Sequence, residues 1–203
     1  MTMPPAGGRM NEFEFYFSFY GLLLGLSAAE VASGLANSVS SRRAVVIGAL
    51  TPLLAVFVLL DIASFWMWSW AAKDRVAISW GLMIGGLIVA ITYYLAAALV
   101  FPRRADEWPV LDDHYWEHKK YVIAGLAVSN ALSTGFTIYQ YPPTSDDTIL
   151  FMWMVAYWVP LMLLFFSRAR RADLVLLGVL VAQYLAAASG VFPNSNWGNS
   201  VGL

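Results

Sequence analysis

The stretch YLAAALVFP at residues 94–102 decides how the chain is organised, because a close copy recurs as YLAAASGVFP at 184–193. Each copy ends an apolar run at Phe-Pro, where the residue before the proline is disfavoured in helical geometry. A recurrence of this kind predicts an internal duplication. Two weaker pairs follow the same order, with 25–33 similar to 125–133 and 52–57 similar to 160–165. Chance similarity between apolar helices is the alternative explanation.

The composition indicates an integral membrane protein. Of 203 residues, 60% are hydrophobic and only 12% are charged, whereas a soluble domain carries about 25% charged residues. The near-neutral net charge gives no basic surface for nucleic acid, so we expect no nucleic-acid partner. The apolar composition makes the lipid bilayer the expected partner. The chain contains no cysteine. No phosphate-binding, dinucleotide or haem motif occurs either, and we therefore expect no cofactor.

Six apolar segments are each close to the ~20 residues that cross a bilayer. They predict an all-α fold with a single membrane domain over residues 1–203. We expect the spans at about 13–38, 44–70, 78–101, 120–140, 148–168 and 173–192, with tails at 1–12 and 194–203. The first three-helix repeat would cover 13–101, the second 120–193, and a loop with an interfacial helix would lie between them at 102–119.

The distribution of basic residues predicts the orientation of these spans. Nine of the twelve lysines and arginines follow the first, third and fifth spans: Arg42, Arg43, Arg103, Arg104, Lys119, Lys120, Arg168, Arg170 and Arg171. Those loops are therefore expected in the cytoplasm and both termini outside. Because each repeat holds three spans, an odd number, the second copy would cross the membrane in the opposite direction. The sequence thus predicts a 3+3 inverted-topology repeat.

Glu30 is the first candidate functional residue, because an acid inside a membrane span is costly. Polar or small residues recur around it at helical spacing, at Ser27, Glu30 and Asn37. The second copy carries Asn130 and Thr134 at the corresponding positions. We expect both stripes to face the pseudo-two-fold axis, with Glu30 opposite Asn130 as a switch that binds a proton or a cation. The alternative is that Glu30 is a structural hydrogen-bonding residue between helices.

Asp61 is the second acid inside a predicted span. It is expected in the outer half of the second span, where it would either line an external vestibule or meet interfacial water.

His114, Glu117 and His118 match the inverted zincin pattern H-x-x-E-H, which places two imidazoles on one helical face. The same segment also fits an interfacial amphipathic helix. In that interpretation Trp108, Leu111, Tyr115 and Trp116 would point towards lipid while Lys119 and Lys120 face water. We favour the interfacial helix and expect no metal site.

The opening segment FYFSFYGLLLGLSAAEVASGLANSVSSRR (15–43) and the segment FPRRADEWPVLDDHYWEHKK (101–120) resemble a group of bacterial six-span inner-membrane proteins with no assigned activity. The likeness covers about the first 130 residues. It implies a bacterial inner membrane and says nothing about activity.

Three functions remain open from the sequence. The leading hypothesis is a small transporter or channel for an ion or small polar solute, with Glu30 as its switch. The second is a non-catalytic accessory or assembly subunit, either a homodimer or part of a larger membrane complex. The third is a membrane-embedded metal hydrolase that would use His114, Glu117 and His118. No feature of the sequence identifies the solute.

Overall fold

The computed structural model describes residues 12–41, 45–71, 73, 79–104, 107–140, 142–144 and 147–189. In this part of the chain six α-helices follow one another: α1 (Glu12–Ser40), α2 (Leu50–Ala71), α3 (Trp80–Ala98), α4 (Leu111–Gln140), α5 (Thr148–Phe166) and α6 (Arg170–Ala188). All six are long and apolar enough to cross a membrane. The predicted all-α fold with six spans is confirmed.

The main difference from the predicted boundaries is the start of α4. This helix begins at Leu111 and runs without interruption to Gln140, so the predicted interfacial helix is its first turns and not a separate element. Asp112 and Asp113 lie in the first turn, where acidic residues interact favourably with the helix dipole. The chain before α4 is held by a parallel bridge between Val46 and Val110.

Helix α2 is the central helix of the bundle, because it contacts α1, α3, α4 and α6. Its buried side chains recur at helical spacing: Leu54, Phe57, Val58, Asp61 and Ile62. This is the i, i+3, i+4, i+7, i+8 pattern of a helix face that packs against its neighbours. One residue of this face, Asp61, is an acid, and it organises the candidate site.

The helix packing does not confirm the inverted repeat. With α1–α3 related to α4–α6, the extensive α1–α3 and α3–α4 contacts would reappear between α4 and α6 and between α6 and α1. Among the described residues the backbones of those two counterpart pairs do not approach each other closely, and α4 and α6 meet mainly through long side chains at one end. The strongest sequence pair also diverges, because Tyr94 is 42% exposed while Tyr184 is half-buried among other helices.

At the end of the bundle that carries the basic loops, Asp112 caps α2 from another helix. Its Oδ1 accepts hydrogen bonds from the backbone N–H groups of Leu50 (3.2 Å) and Thr51 (3.4 Å). These groups have no partner within their own helix and normally need a cap. Gly48 makes room for the carboxylate, since a Cβ at this position would overlap the Asp112 carboxyl group.

A buried ion pair joins α4 to α6 at the same end. Lys119 Nζ lies 2.5 Å from Asp173 Oδ2, with side-chain exposures of 3% and 0%. The ammonium group also donates to the Ser167 carbonyl (2.6 Å), and the Tyr115 hydroxyl donates to Asp173 (2.8 Å). The expectation that Lys119 faces water was therefore wrong, because α6 supplies its counter-charge. Tyr115 and Leu111 likewise face the bundle and not lipid.

Candidate functional site

The candidate site is built around Asp61, which lies in the middle of α2 (Leu50–Ala71) and is fully buried. At about 1.5 Å per residue, its Cα lies about 15 Å from either end of the helix. The carboxyl group is therefore far from both membrane surfaces. A charge at that depth is costly and needs compensating interactions.

Four side chains donate hydrogen bonds to this one carboxylate. Oδ2 accepts from the Tyr93 hydroxyl (2.8 Å) and from the Asn130 amide (3.0 Å). Oδ1 accepts from the Tyr157 hydroxyl (3.2 Å) and from the Tyr184 hydroxyl. An ionised carboxylate accepts about four hydrogen bonds on its two oxygens, so these donors match its full capacity.

The donors come from four different helices, α3 to α6, and the acceptor comes from α2. One carboxylate thus holds five helices together, which fixes its position tightly. The amide nitrogen of Asn130 also lies within hydrogen-bond distance of the Tyr93 hydroxyl (3.2 Å) and the Leu126 carbonyl (3.0 Å), so its two N–H groups are shared among three acceptors. We call Asp61, Tyr93, Asn130, Tyr157 and Tyr184 the Asp61 cluster.

All four donors are uncharged side chains. Hydrogen bonds from such groups satisfy the lone pairs of the carboxylate but leave its negative charge in place. Within the cluster, that charge can be neutralised in two ways: by a proton on Asp61 or by a cation nearby. This property separates the Asp61 cluster from an ordinary buried ion pair.

A cavity of about 350 Å³ adjoins the cluster, within the size range of small-molecule sites, about 300–1,000 Å³. Asn130, Tyr157 and Tyr184 belong both to the cluster and to the cavity wall. The rest of the wall is mixed aromatic, apolar and uncharged polar: Ser64, Phe65, Trp68, Ser133, Thr134, Thr137, Leu150, Trp153, Met154, Trp158, Gln183 and Ala187. These residues lie in the halves of α2, α4, α5 and α6 that are remote from the basic loops.

A second cavity of about 290 Å³ lies between α1, α2, α3 and α4 and shares Phe65, Trp68 and Ser133 with the first. Its wall is mostly apolar, and Tyr16, Tyr20 and Ser133 are its hydroxyl-bearing residues. It does not include a member of the Asp61 cluster.

The structure brings together only part of the predicted site. Asp61 and Asn130 are in direct contact, and Thr134 lines the adjoining cavity. Ser27 is buried on α1, and its hydroxyl donates to the Leu23 carbonyl of its own helix (3.1 Å).

Glu30 and Asn37 are exposed on the outer face of α1. The expectation that Glu30 faces Asn130 was wrong. The buried face of α1 runs through Leu24, Ser27 and Val31. Neighbouring residues of a helix are rotated by about 100°, so Glu30, the residue before Val31, lies outside this face.

The three residues of the H-x-x-E-H segment do not converge. The rings of His114 and His118 stack with their centroids 4.0 Å apart, and Glu117 is exposed. Among the described residues, no group of three or more His, Cys, Asp or Glu side chains could hold a metal ion. The hydrolase hypothesis therefore gains no site from this segment.

Sequence reasoning missed the three tyrosines of the cluster. Aromatic residues in a membrane protein are usually assigned to the interfaces, and only some of these were considered. Tyr93, Tyr157 and Tyr184 lie at least one helical turn from the ends of the apolar helices α3, α5 and α6. A hydroxyl that deep requires a partner, and this requirement was the signal that could have connected them to Asp61.

A comparison of the chain with protein-family models, curated proteins and solved structures found no match. Its class therefore follows from the six apolar helices alone: the chain is a multi-pass membrane protein. What it does must be inferred from the Asp61 cluster and its cavity.

Proposed function

We propose that the protein is a small transporter or channel for an ion or small polar solute, in which Asp61 and not Glu30 binds the proton or cation. The observation that carries this proposal is the fully buried carboxylate with four uncharged donors beside a cavity. A carboxyl group used only to join helices does not need an adjoining cavity. An intramembrane acid next to such a space is a functional candidate.

The proposed mechanism is an exchange of counter-charge at Asp61. With the cavity empty, a proton on Asp61 neutralises the carboxylate. One hydroxyl of the cluster then rotates and accepts a hydrogen bond from the protonated carboxyl group. When a cation enters the cavity, Asp61 releases its proton to solvent, one positive charge replaces the other, and all four donors point at the ionised carboxylate. Because the donors belong to four helices, the change can alter the packing of α3 to α6 around α2.

We further propose a bacterial inner membrane as the setting, with both termini outside the cytoplasm. The exposed Arg103, Arg104, Arg168 and Arg171 lie at one end of the bundle, and basic loops are typical of the cytoplasmic side. On this assignment the cavity beside Asp61 belongs to the outer half of the protein.

Flux measurements in proteoliposomes test this proposal. The panel is protons, Na⁺, K⁺ and n-butylammonium, each measured against protein-free liposomes. We expect at least one flux above background, and a loss of about 10-fold or more in Asp61→Asn because an amide can neither release a proton nor attract a cation as a carboxylate does. Glu30→Gln is the matched control, since it changes the other intramembrane acid, and it should retain the wild-type flux. Equal flux in wild type and Asp61→Asn, or no flux for the whole panel, contradicts the proposal.

A second function is favoured by the position of Glu30. On the inner half of α1, the exposed face carries Ala29, Glu30, Ser33 and Asn37, and small and polar residues are typical of contacts between membrane helices. A carboxyl group on a lipid-exposed face is costly. We therefore propose, as the alternative, that this face binds a second copy of the chain or another membrane subunit in an assembly role.

Mass measurement of the purified protein in lipid nanodiscs tests the assembly role. The expected result is a wild-type particle with a second protein subunit and a Glu30→Leu particle that contains one chain. Asp61→Asn serves as the control and should keep the wild-type mass. A single chain in the wild-type particle would contradict the assembly role.

A further inference from the structure

We infer that the ligand of the Asp61 site is a small primary ammonium cation, a chemical class that rests on the proposed function of this site. Three separate properties of the cavity favour this class of cation. These are the charge of its surroundings, the aromatic character of its wall, and the direction of the tyrosine hydroxyls.

The charge surrounding the cavity excludes an anion. None of the described residues that line it is Lys, Arg or His, so an anionic group would have no positive partner there. The ionisable group directly behind the wall is Asp61, held by three wall residues, Asn130, Tyr157 and Tyr184. In a membrane interior the attraction of a carboxylate for a cation is weakly screened, so occupancy by a cation is favoured.

The wall also favours an organic cation over a small metal ion. Trp68, Trp153 and Trp158 line the cavity together with two tyrosines. Aromatic faces attract ammonium groups, and tryptophan does so best. A hard metal cation instead requires a shell of several oxygen ligands, and much of this wall is carbon.

The tyrosine hydroxyls distinguish a primary ammonium from a quaternary one. Tyr157 and Tyr184 both line the cavity and both donate their protons to Asp61. With its proton engaged, a hydroxyl group has only lone pairs left to offer, so these residues can only accept hydrogen bonds from a ligand. A hydroxyl that donates to a carboxylate is polarised and accepts more strongly. A primary ammonium can donate its N–H groups to these lone pairs, whereas a quaternary ammonium has no N–H to donate.

Equilibrium binding to the full-length protein in lipid nanodiscs tests this inference by calorimetry. The probes are n-butylammonium, tetramethylammonium and butyrate, which differ in N–H donors and in charge. We expect saturable binding of n-butylammonium, binding of tetramethylammonium that is about 10-fold weaker or worse because it lacks N–H donors, and no measurable binding of butyrate.

Variants of the wall and of the cluster test which residues are responsible. Asp61→Asn should weaken n-butylammonium binding about 10-fold or more, and Tyr184→Phe, which keeps the ring, provides a milder change in the same direction. Trp153→Leu should weaken it about 3-fold through the loss of one aromatic face. Trp80→Leu, at an 84% exposed tryptophan outside the cavity, is the control and should have no effect.

The outcomes separate this inference from the proposed function. Equal binding of tetramethylammonium and n-butylammonium, or binding unchanged in both Asp61→Asn and Tyr184→Phe, overturns the ammonium assignment. If n-butylammonium does not bind while an Asp61-dependent flux of Na⁺, K⁺ or protons persists, the ligand class is wrong and the transport proposal stands. If the flux is also independent of Asp61, both are wrong.

Discussion

Asp61 and Asp173 are both fully buried carboxylates, yet the partners that surround them differ in charge. Asp173 contacts the ammonium group of Lys119 at 2.5 Å and the hydroxyl of Tyr115 at 2.8 Å. Asp61 contacts three tyrosine hydroxyls and one amide. The charge of Asp173 is neutralised by Lys119, whereas the described partners of Asp61 are all uncharged.

This difference assigns the two acids different roles. The Asp173 pair lies at the end of the bundle that carries the basic loops, where Lys119 also holds the Ser167 carbonyl at the end of α5. It therefore connects α4, α5 and α6, and its counter-charge comes from within the chain. The Asp61 cluster lies in the middle of the bundle beside a cavity, and its uncompensated charge leaves a role for a proton or a ligand.

The largest expected loss of stability follows from breaking the Asp173 pair. Lys119→Met leaves Asp173 buried without a counter-charge and should lower the free energy of unfolding by about 3–5 kcal/mol. The double variant Lys119→Met/Asp173→Leu should recover most of that loss, because it also removes the unpaired charge. Denaturant unfolding of the reconstituted protein checks both. Equal destabilisation by the single and double variants would show that the charge pair is not the cause.

A smaller loss is expected at the cap of α2. Gly48→Ala places a methyl group where it would overlap the Asp112 carboxyl group, and should cost about 1–3 kcal/mol as the cap is displaced. Gly25→Ala is the matched control, since nothing lies within 4 Å of the position that its methyl group would take. It should be neutral or slightly stabilising, because alanine is the better helix former. Denaturant unfolding compares the two variants, and an undiminished stability of Gly48→Ala would argue against the Asp112 cap.

The Asp61 cluster is expected to contribute less to stability than to function. Asp61→Asn keeps the shape of the side chain and should change the free energy of unfolding by about 1 kcal/mol, the net worth of an ordinary hydrogen bond. The same variant should remove most of the flux. Asp61→Asn should therefore lose flux more than stability, whereas Lys119→Met is expected to lose mainly stability. A loss of stability as large as that of Lys119→Met would instead make the cluster a structural connection.

The smallest expected effect on stability is that of Glu30→Gln. Because Glu30 is exposed on α1, the substitution should change the free energy of unfolding of the single chain by no more than about 0.5 kcal/mol. Unfolding of the detergent-solubilised chain measures this. A large loss of stability would mean that Glu30 contacts other parts of the chain, which would contradict its exposed position on α1.

The six helices could be predicted from sequence because length and apolarity alone determine whether a segment can cross a bilayer. The side of a helix on which a residue lies could not be predicted from the sequence. Lipid and protein interior are both apolar, so the pattern around Glu30 and around Asp61 gave no sign of which acid faces inward. The partners of Asp61 lie between 32 and 123 residues away along the chain, and only the packing of α3 to α6 brings them together.

The central claim is that a cation occupies the cavity beside Asp61, and protection of a cysteine placed in that cavity tests it most directly. Because the chain has no cysteine, Thr134→Cys gives a single thiol in the cavity wall. Ser189→Cys, just after α6 on an exposed site outside the cavity, is the control. We predict that n-butylammonium slows labelling of Thr134→Cys by a membrane-impermeant maleimide, that Asp61→Asn removes this protection, and that Ser189→Cys is unaffected. Labelling of Thr134→Cys at the same rate with and without n-butylammonium, and equally with Na⁺ or K⁺ in its place, would contradict the account.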